Sequence, residues 1–308
     1  MKKLALSILI VFTVVGSAFA QQRPVISTYM FNGLALNPAY AGSLNVLSAS
    51  FIHRKQWINV DGAPRSNIFS VHSSFYGNQI GLGVQASEDV IGVHKESAFY
   101  ASGAYKIRTG AGILAMGLSG GFDNRRSDFS QLNILNEDDE LLTGTPTRFT
   151  PNFGTGLYFA NPRMYVGVSV PFILENSLYQ VQADGTTSEA RESRYYYATG
   201  GVVFDINQNI KFSPSALFRY QEQSRLGWDL NATVIFDGIA YAGVSYRSGD
   251  ALVFLTQLIL NENFRLGYAY DATVNALAEE SRGTHEILLN YRIKLRNYKK
   301  DPQCPVYF

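Results

Sequence analysis

Histidine, cysteine and clustered carboxylates are the side chains best suited to chemistry, and this chain has few: His53, His72, His94, His285 and the single Cys304. His72 lies in SVHSSF (70–75), where Ser70, His72 and Ser74 alternate. On a strand that spacing puts all three on one face, the beginning of a serine–histidine pair for acyl transfer. No acid and no oxyanion donor can be named beside them. A polar inner face of a barrel accounts for the same residues. The acidic run NEDDE (136–140) suggests calcium, but it lacks the glycine and ligand spacing of a calcium loop; a solvated loop tip is the simpler account. GGFDNRRSDF (120–129) reads as a hydrogen-bonded rim. GAGILAMGLSGG (110–121) is no phosphate loop, because no helix follows it and no Lys-Ser/Thr closes it. The residues therefore assign no catalytic side chain, no metal site and no cofactor.

The more informative set is ionic. Lys211, Arg219, Arg265, Arg292, Lys294 and Arg296 fall on the polar side of alternating stretches, together with Asp229, Asp271 and Glu286. In a closed sheet that side faces the interior. The charges are expected to satisfy one another in a network; a charged water path is the alternative. Arg54, on the first strand, is expected to close against the last.

Period-two alternation positions these residues. In Trp228 to Phe236 positions 228, 230, 232, 234 and 236 are apolar, and Asp229, Asn231 and Thr233 are polar. His285 to Arg296 and Phe264 to Asp271 follow the same rule. Fourteen strands of membrane-crossing length result: 45–56, 66–77, 79–88, 96–108, 111–123, 151–160, 163–172, 194–206, 209–221, 226–237, 239–248, 251–260, 263–271 and 284–297. Even-numbered strands end in short turn-formers such as Gly77-Asn78, Asn161-Pro162 and Asp237-Gly238. The long connections, 57–65, 89–95, 124–150, 173–193 and 272–283, all fall on the other side. That is the pattern of an all-β outer-membrane antiparallel barrel, with short periplasmic turns and long outer loops. Aromatic residues near strand ends, including Trp57, Phe75, Tyr158, Phe172, Tyr195 to Tyr197, Tyr220 and Tyr291, are expected to form the interfacial girdles.

Composition agrees. Tyr (19), Phe (20) and Gly (27) are abundant and mean hydropathy is near zero, as when lipid-facing and lumen-facing residues average out. Residues 1–20 have a basic start, an apolar run and Ala18-Phe19-Ala20, the pattern of a secretory signal peptide. Its removal takes Lys2 and Lys3 and moves the formal charge from +1 to −1, so no strong field favours nucleic acid. One cysteine allows no intrachain disulfide. The expected organisation is a signal peptide (1–20), an N-terminal plug and turn (21–44), a barrel (45–297) and a periplasmic tail (298–308).

Two stretches resemble a known family. FNGLALNPAYAGS (31–43), followed by HRKQWINVDGAPRSNIFSVHSSF (53–75), is similar to the PorP/SprF family of Bacteroidetes, outer-membrane barrels of the type IX secretion system. The shared residues include Asn37, Pro38, Ala39, Tyr40, Ala41 and Gly42, then Arg54, Gln56, Trp57, Gly62, Pro64, Ser70 and His72. HEILLNYRI (285–293) resembles the family's last strand. Ser66 departs from a frequent threonine, and the tail runs past the usual end. The resemblance implies a non-enzymatic barrel with no cofactor that helps secreted proteins reach or stay on the cell surface. The cargo would include gliding adhesins with type B C-terminal domains, with a periplasmic lipoprotein or peptidoglycan-binding protein as partner. The alternative is a channel for hydrophobic small molecules of the fatty-acid-transporter type. The NPAYAG segment is expected to tuck into the periplasmic mouth, with Tyr40 against lumen side chains.

Overall fold

The structure is a computed structural model that describes residues 25–131, 145, 147–183, 186–222 and 224–294. The 1–20 segment, the acidic run at 136–140 and the 298–308 tail with Cys304 lie outside the described residues.

The alternating stretches form one closed antiparallel wall. Its strands are β1 (Leu47–Lys55), β2 (Arg65–Phe75), β3 (Ile80–Ile91), β4 (His94–Arg108), β5 (Ile113–Ser127), β6 (Thr147–Ala160) and β7 (Met164–Val170). A separate hairpin of β8 (Ser177–Ala183) and β9 (Thr186–Arg191) rises from the next connection. The wall resumes with β10 (Tyr195–Val202) and β11 (Phe204–Asp205), then β12 (Ile210–Gln221), β13 (Gly227–Phe236), β14 (Ala240–Arg247), β15 (Ala251–Ile259), β16 (Phe264–Thr273) and β17 (Thr284–Ile293). β10 and β11 are one interrupted strand, so the wall has fourteen, as the sequence pattern predicts. The interruption lies opposite Pro214, where the pairings Gly201–Ser215 and Phe204–Phe212 leave a gap. Proline has no N–H to give the ladder. β1 pairs with β17, and β10 joins β7 to β12, closing the cylinder without an edge.

One expected long connection is absent. β3 and β4 run on to Ile91 and His94, and the chain turns at Gly92, whose φ of 54° suits glycine. The remaining long connections stay on one side, taken as the outer side. Outward positions carry apolar side chains, among them Phe51, Phe69, Leu82, Phe99, Leu118, Leu157, Leu230, Phe254 and Leu289, all exposed. This is the band that lipid covers. Several expected girdle aromatics instead face inward: Tyr158, Tyr195 and Tyr197 are buried, because they fall on the inward side of the pleat of their strands.

The interior is occupied. Residues 25–44 lie inside the wall as three short 3-10 turns, Tyr29–Phe31, Gly33–Ala35 and Pro38–Tyr40. They complete two apolar clusters. In one, Ile26, Tyr29, Phe31 and Leu36 pack with wall residues Ile52, Leu217, Ile235, Tyr241, Val253, Leu255 and Leu288. In the other, Leu34, Ala39, Tyr40 and Ala41 pack with Ala104, Ala115, Tyr158 and Tyr165. The lumen is therefore built like the core of a water-soluble protein.

Candidate functional site: the occupied lumen

The N-terminal segment is held at both ends of the wall. Near the outer ends, Glu286 of β17 accepts the backbone N–H groups of Ser27 and Thr28, both at 2.8 Å, and the Thr28 hydroxyl at 2.5 Å. Arg54 of β1 reaches across the seam to Glu286 at 2.9 Å and to Asp271 of β16 at 2.8 Å. It also donates to the Ser27 hydroxyl, which in turn donates to Asp271. Arg247 of β14 donates to Asp229 and Asp271, both at 3.1 Å, and to the Ser27 hydroxyl. Arg219 of β12 completes the set on Asp229 at 2.8 Å. Three guanidiniums and three buried carboxylates balance, all but Arg219 nearly inaccessible, and the exposed Asp250 stands 3.6 Å from Arg247 at their edge. Buried charge is tolerated only when paired and hydrogen-bonded, and here the pairing runs through the segment's own Ser27.

Lower down, Asn231 donates to the Tyr29 hydroxyl at 2.6 Å, and Ser70 donates to the Asn32 side chain at 3.1 Å. Ser169 donates to the Leu36 carbonyl at 2.7 Å.

The Asn37-Pro38-Ala39-Tyr40-Ala41-Gly42 hexapeptide forms the periplasmic anchor. The Asn37 side chain accepts from the Ala39 N–H, capping the turn that Pro38 opens. Its amide nitrogen donates to the carbonyls of Leu157 and Val168 in the wall. The Tyr40 ring lies edge-on to His72 and Tyr158, with centroids 5.4 Å from each. Gly42, at φ 63°, donates its N–H to His72 Nδ1 at 3.1 Å. Lys106 donates to the Gly42 carbonyl at 2.5 Å and to the Asn78 side chain. His72 thus serves as an acceptor for the segment; Ser70 and Ser74 bond to Asn32 and Asn45 instead of to His72.

The wall is bare where the hexapeptide rests. A Cβ on Gly81 would stand 1.9 Å from the Ala41 carbonyl oxygen, and one on Gly117 2.2 Å from the Ala39 nitrogen. One on Gly156 would stand 2.1 Å from the Asn37 side chain. Ala39 and Ala41, both at 0 % exposure, complete a contact that larger residues on either side would break. What remains open beside Tyr29, Leu36, Asn37 and Tyr40 is a cavity of about 30 Å³, room for a water or two.

Gln56, Trp57, Gly62 and Pro64 shape the outer loop of the β1–β2 hairpin. The Gln56 N–H donates to the Pro64 carbonyl, and the Trp57 N–H donates to the Thr284 hydroxyl. Ile58 and Arg282–Gly283 exchange backbone bonds, and the Gly62 carbonyl accepts from Gly92. Trp57 and Gly62 take positive φ. The loop thus lies against two neighbouring connections.

Of the other expected lumen charges, Arg296 lies outside the described residues and the rest disperse. Lys211 pairs with Asp205 near the periplasmic rim. Arg292 donates to Asn290 at 2.8 Å. Arg265 is part-buried, and its Nε has no hydrogen-bond partner. Lys294 does not face the lumen: β17 ends at Ile293, so Lys294 stands beyond the wall, exposed and paired with Glu262 at 2.9 Å. Arg247 and Ser27 were not singled out from the sequence. Arg247 shares inward parity with Ser245 and Tyr241, the signal that marks it.

Residues 18–291 match the family described as "Type IX secretion system membrane protein PorP/SprF". The chain belongs to that family. The coordinates make this PorP/SprF protein an outer-membrane barrel. A search of curated proteins returns no match. Solved structures of similar outline include the outer membrane protein Omp33 of Acinetobacter baumannii, at 12 % identity and TM-score 0.49, covering 82 % of this chain and 100 % of that one. The toluene transporter TbuX of Ralstonia pickettii is 10 % identical at TM-score 0.49, covering 84 % and 92 %. The KdgM porin is 8 % identical at TM-score 0.38, covering 80 % and 99 %.

Proposed function

We propose that this PorP/SprF protein acts without catalysis, as an outer-membrane partner of type IX cargo. It supports the secretion or surface attachment of proteins by contacts at its outer loops and periplasmic rim. The gliding-adhesin class with type B C-terminal domains is the cargo this reading favours, with a periplasmic lipoprotein or peptidoglycan-binding protein at the other rim. The observation that carries the reading is the occupied lumen. Residues 25–44 are built into the same core as the wall and leave a cavity of about 30 Å³ beside them. A route for a hydrophobic solute would need that core dismantled, so recognition is assigned to the protein's two ends. The residues proposed to matter are Arg54, with Asp271 and Glu286, for fixing the segment, and Gln56, Trp57, Gly62 and Pro64 for shaping an outer loop.

The decisive experiment compares the surface proteome of a strain lacking the gene with its parent, beside a pull-down in mild detergent read by mass spectrometry. Loss of particular secreted proteins from the surface, and their recovery on the barrel, is expected. An unchanged surface proteome, together with solute uptake by the purified protein in liposomes, would overturn the proposal in favour of a small-molecule channel.

A further inference from the structure

The outer ends of β1 to β5 carry two like-charge pairs on their outward face. Lys55 and Arg65 stand directly opposite each other across β1 and β2. Lys95 and Arg126 do the same across β4 and β5. Val90 of β3 is opposite both Arg65 and Lys95, so the four cations share one line across five strands. All four are exposed. Directly opposed like charges destabilise a strand pair, and the outward face here contains the arrangement twice, one strand apart. A single carboxylate on that face offsets it: Glu88, 2.5 Å from Lys95 in a solvent-exposed pair. Among the described residues, Lys55, Arg65 and Arg126 have no ion pair. The neighbouring Asp89 and Glu96 lie on the opposite, lumen side, where Glu96 binds Arg125 at 2.5 Å.

A second register line fixes the depth of this row. Four residues further into the membrane on each of the same strands stands a phenylalanine: Phe51, Phe69, Phe99 and Phe122. They pair across strands as the cations do, Phe51 with Phe69 and Phe99 with Phe122, and each is 37–48 % exposed. They belong to the lipid-covered band, and the cations lie about 13 Å further out along the strands. The two cation pairs are about 10 Å apart across β3. His285 extends the row beside Lys55.

We propose that the two pairs clamp the phosphate groups of an anionic lipid in the outer leaflet, with its acyl chains along the phenylalanine row. A phosphate between each pair turns a repulsion into two charge-assisted contacts. Its place outside the lumen and above the apolar band selects a lipid headgroup over a soluble anion.

The test uses the full-length protein in detergent, incubated with bisphosphorylated lipid A and read by native mass spectrometry. The same lipid stripped of both phosphates is the comparison probe. Wild type is expected to retain the phosphorylated lipid, and Lys55→Gln/Arg65→Gln/Lys95→Gln/Arg126→Gln to retain at least about tenfold less, while Lys55→Arg/Lys95→Arg keeps it. Lys211→Gln/Lys294→Gln, at the periplasmic end, is expected to change nothing. The quadruple variant should be as heat-stable as wild type or more so in lipid-free detergent, because the opposed charges are gone. Equal retention by the quadruple variant, or equal retention of the stripped lipid by wild type, overturns the proposal. So does displacement of the lipid by millimolar inorganic phosphate, which would mark a simple anion site.

Discussion

Glu286 is the residue on which most of the lumen's order converges. It closes the β1–β17 seam through Arg54 and accepts two backbone N–H groups of the N-terminal segment. Glu286→Gln removes the charge while keeping the shape and leaves Arg54 short of a partner. Breaking a buried pair in this way costs about 3–5 kcal/mol, to be read as an earlier midpoint in urea unfolding followed by the heat-modifiable gel shift. Glu262→Gln provides the contrast. Lys294 holds the Glu262 carboxyl below its usual range through a hydrogen bond and its charge. Any stabilisation from that pair is therefore present above the carboxyl's unfolded pKa and lost as pH falls through the folded one. Both partners are exposed and such pairs contribute little, so no shift in midpoint is expected at neutral pH. Gly117→Leu tests the bare wall: its side chain would stand where Ala39 lies. The expected result is an N-terminal segment that proteases cleave, in a barrel that still forms. Residues of this kind were only half legible in sequence. NPAYAG shows its turn chemistry, because proline and glycine act locally. Its docking surface is a set of glycines scattered over β3, β5 and β6, which only the register brings together.

At the scale of elements, the strands were legible because pleat and turn leave local marks. Alternation gives the faces, and Asn, Asp and Gly give the ends. The departures also have causes. β3 and β4 run further than expected because Gly92 permits a tight turn. The β8–β9 hairpin lies within the connection read as loop 173–193. The apolar lumen layer was hidden in strands such as β15, ALVFLTQLI, whose two faces are both hydrophobic. Period two cannot separate them there. The N-terminal segment can be tested as an element. Deleting residues 26–42 removes Ser27 from the ion network and uncovers Leu217, Ile235 and Leu288. A barrel that still inserts is expected to conduct ions in planar bilayers, where the full-length protein does not, and to unfold at lower urea.

The whole molecule has two apolar surfaces, one turned to lipid and one turned inward onto its own N-terminal residues. Family and localisation were legible in the sequence because short motifs and the strand pattern carry them. Which protein docks at either rim was not, since that depends on loops whose shape is set by contacts such as Ile58 with Arg282 and Gly283. Exchanging residues 56–64 for a Gly-Ser linker of equal length is expected to leave barrel formation intact and to reduce cargo recovery in the pull-down. The path of residues 25–44 has a consequence for biogenesis. Val25 lies beside Tyr195, Tyr197 and Gln221 at the outer ends of β10 and β12, while Gly42 is fixed beside Ser73 and Gly81 close to the other end. The finished cylinder offers no bore through which the bulky Tyr29, Phe31 and Tyr40 could later slide. Residues 25–44 are therefore expected to be enclosed as the sheet closes around them, not threaded in afterwards.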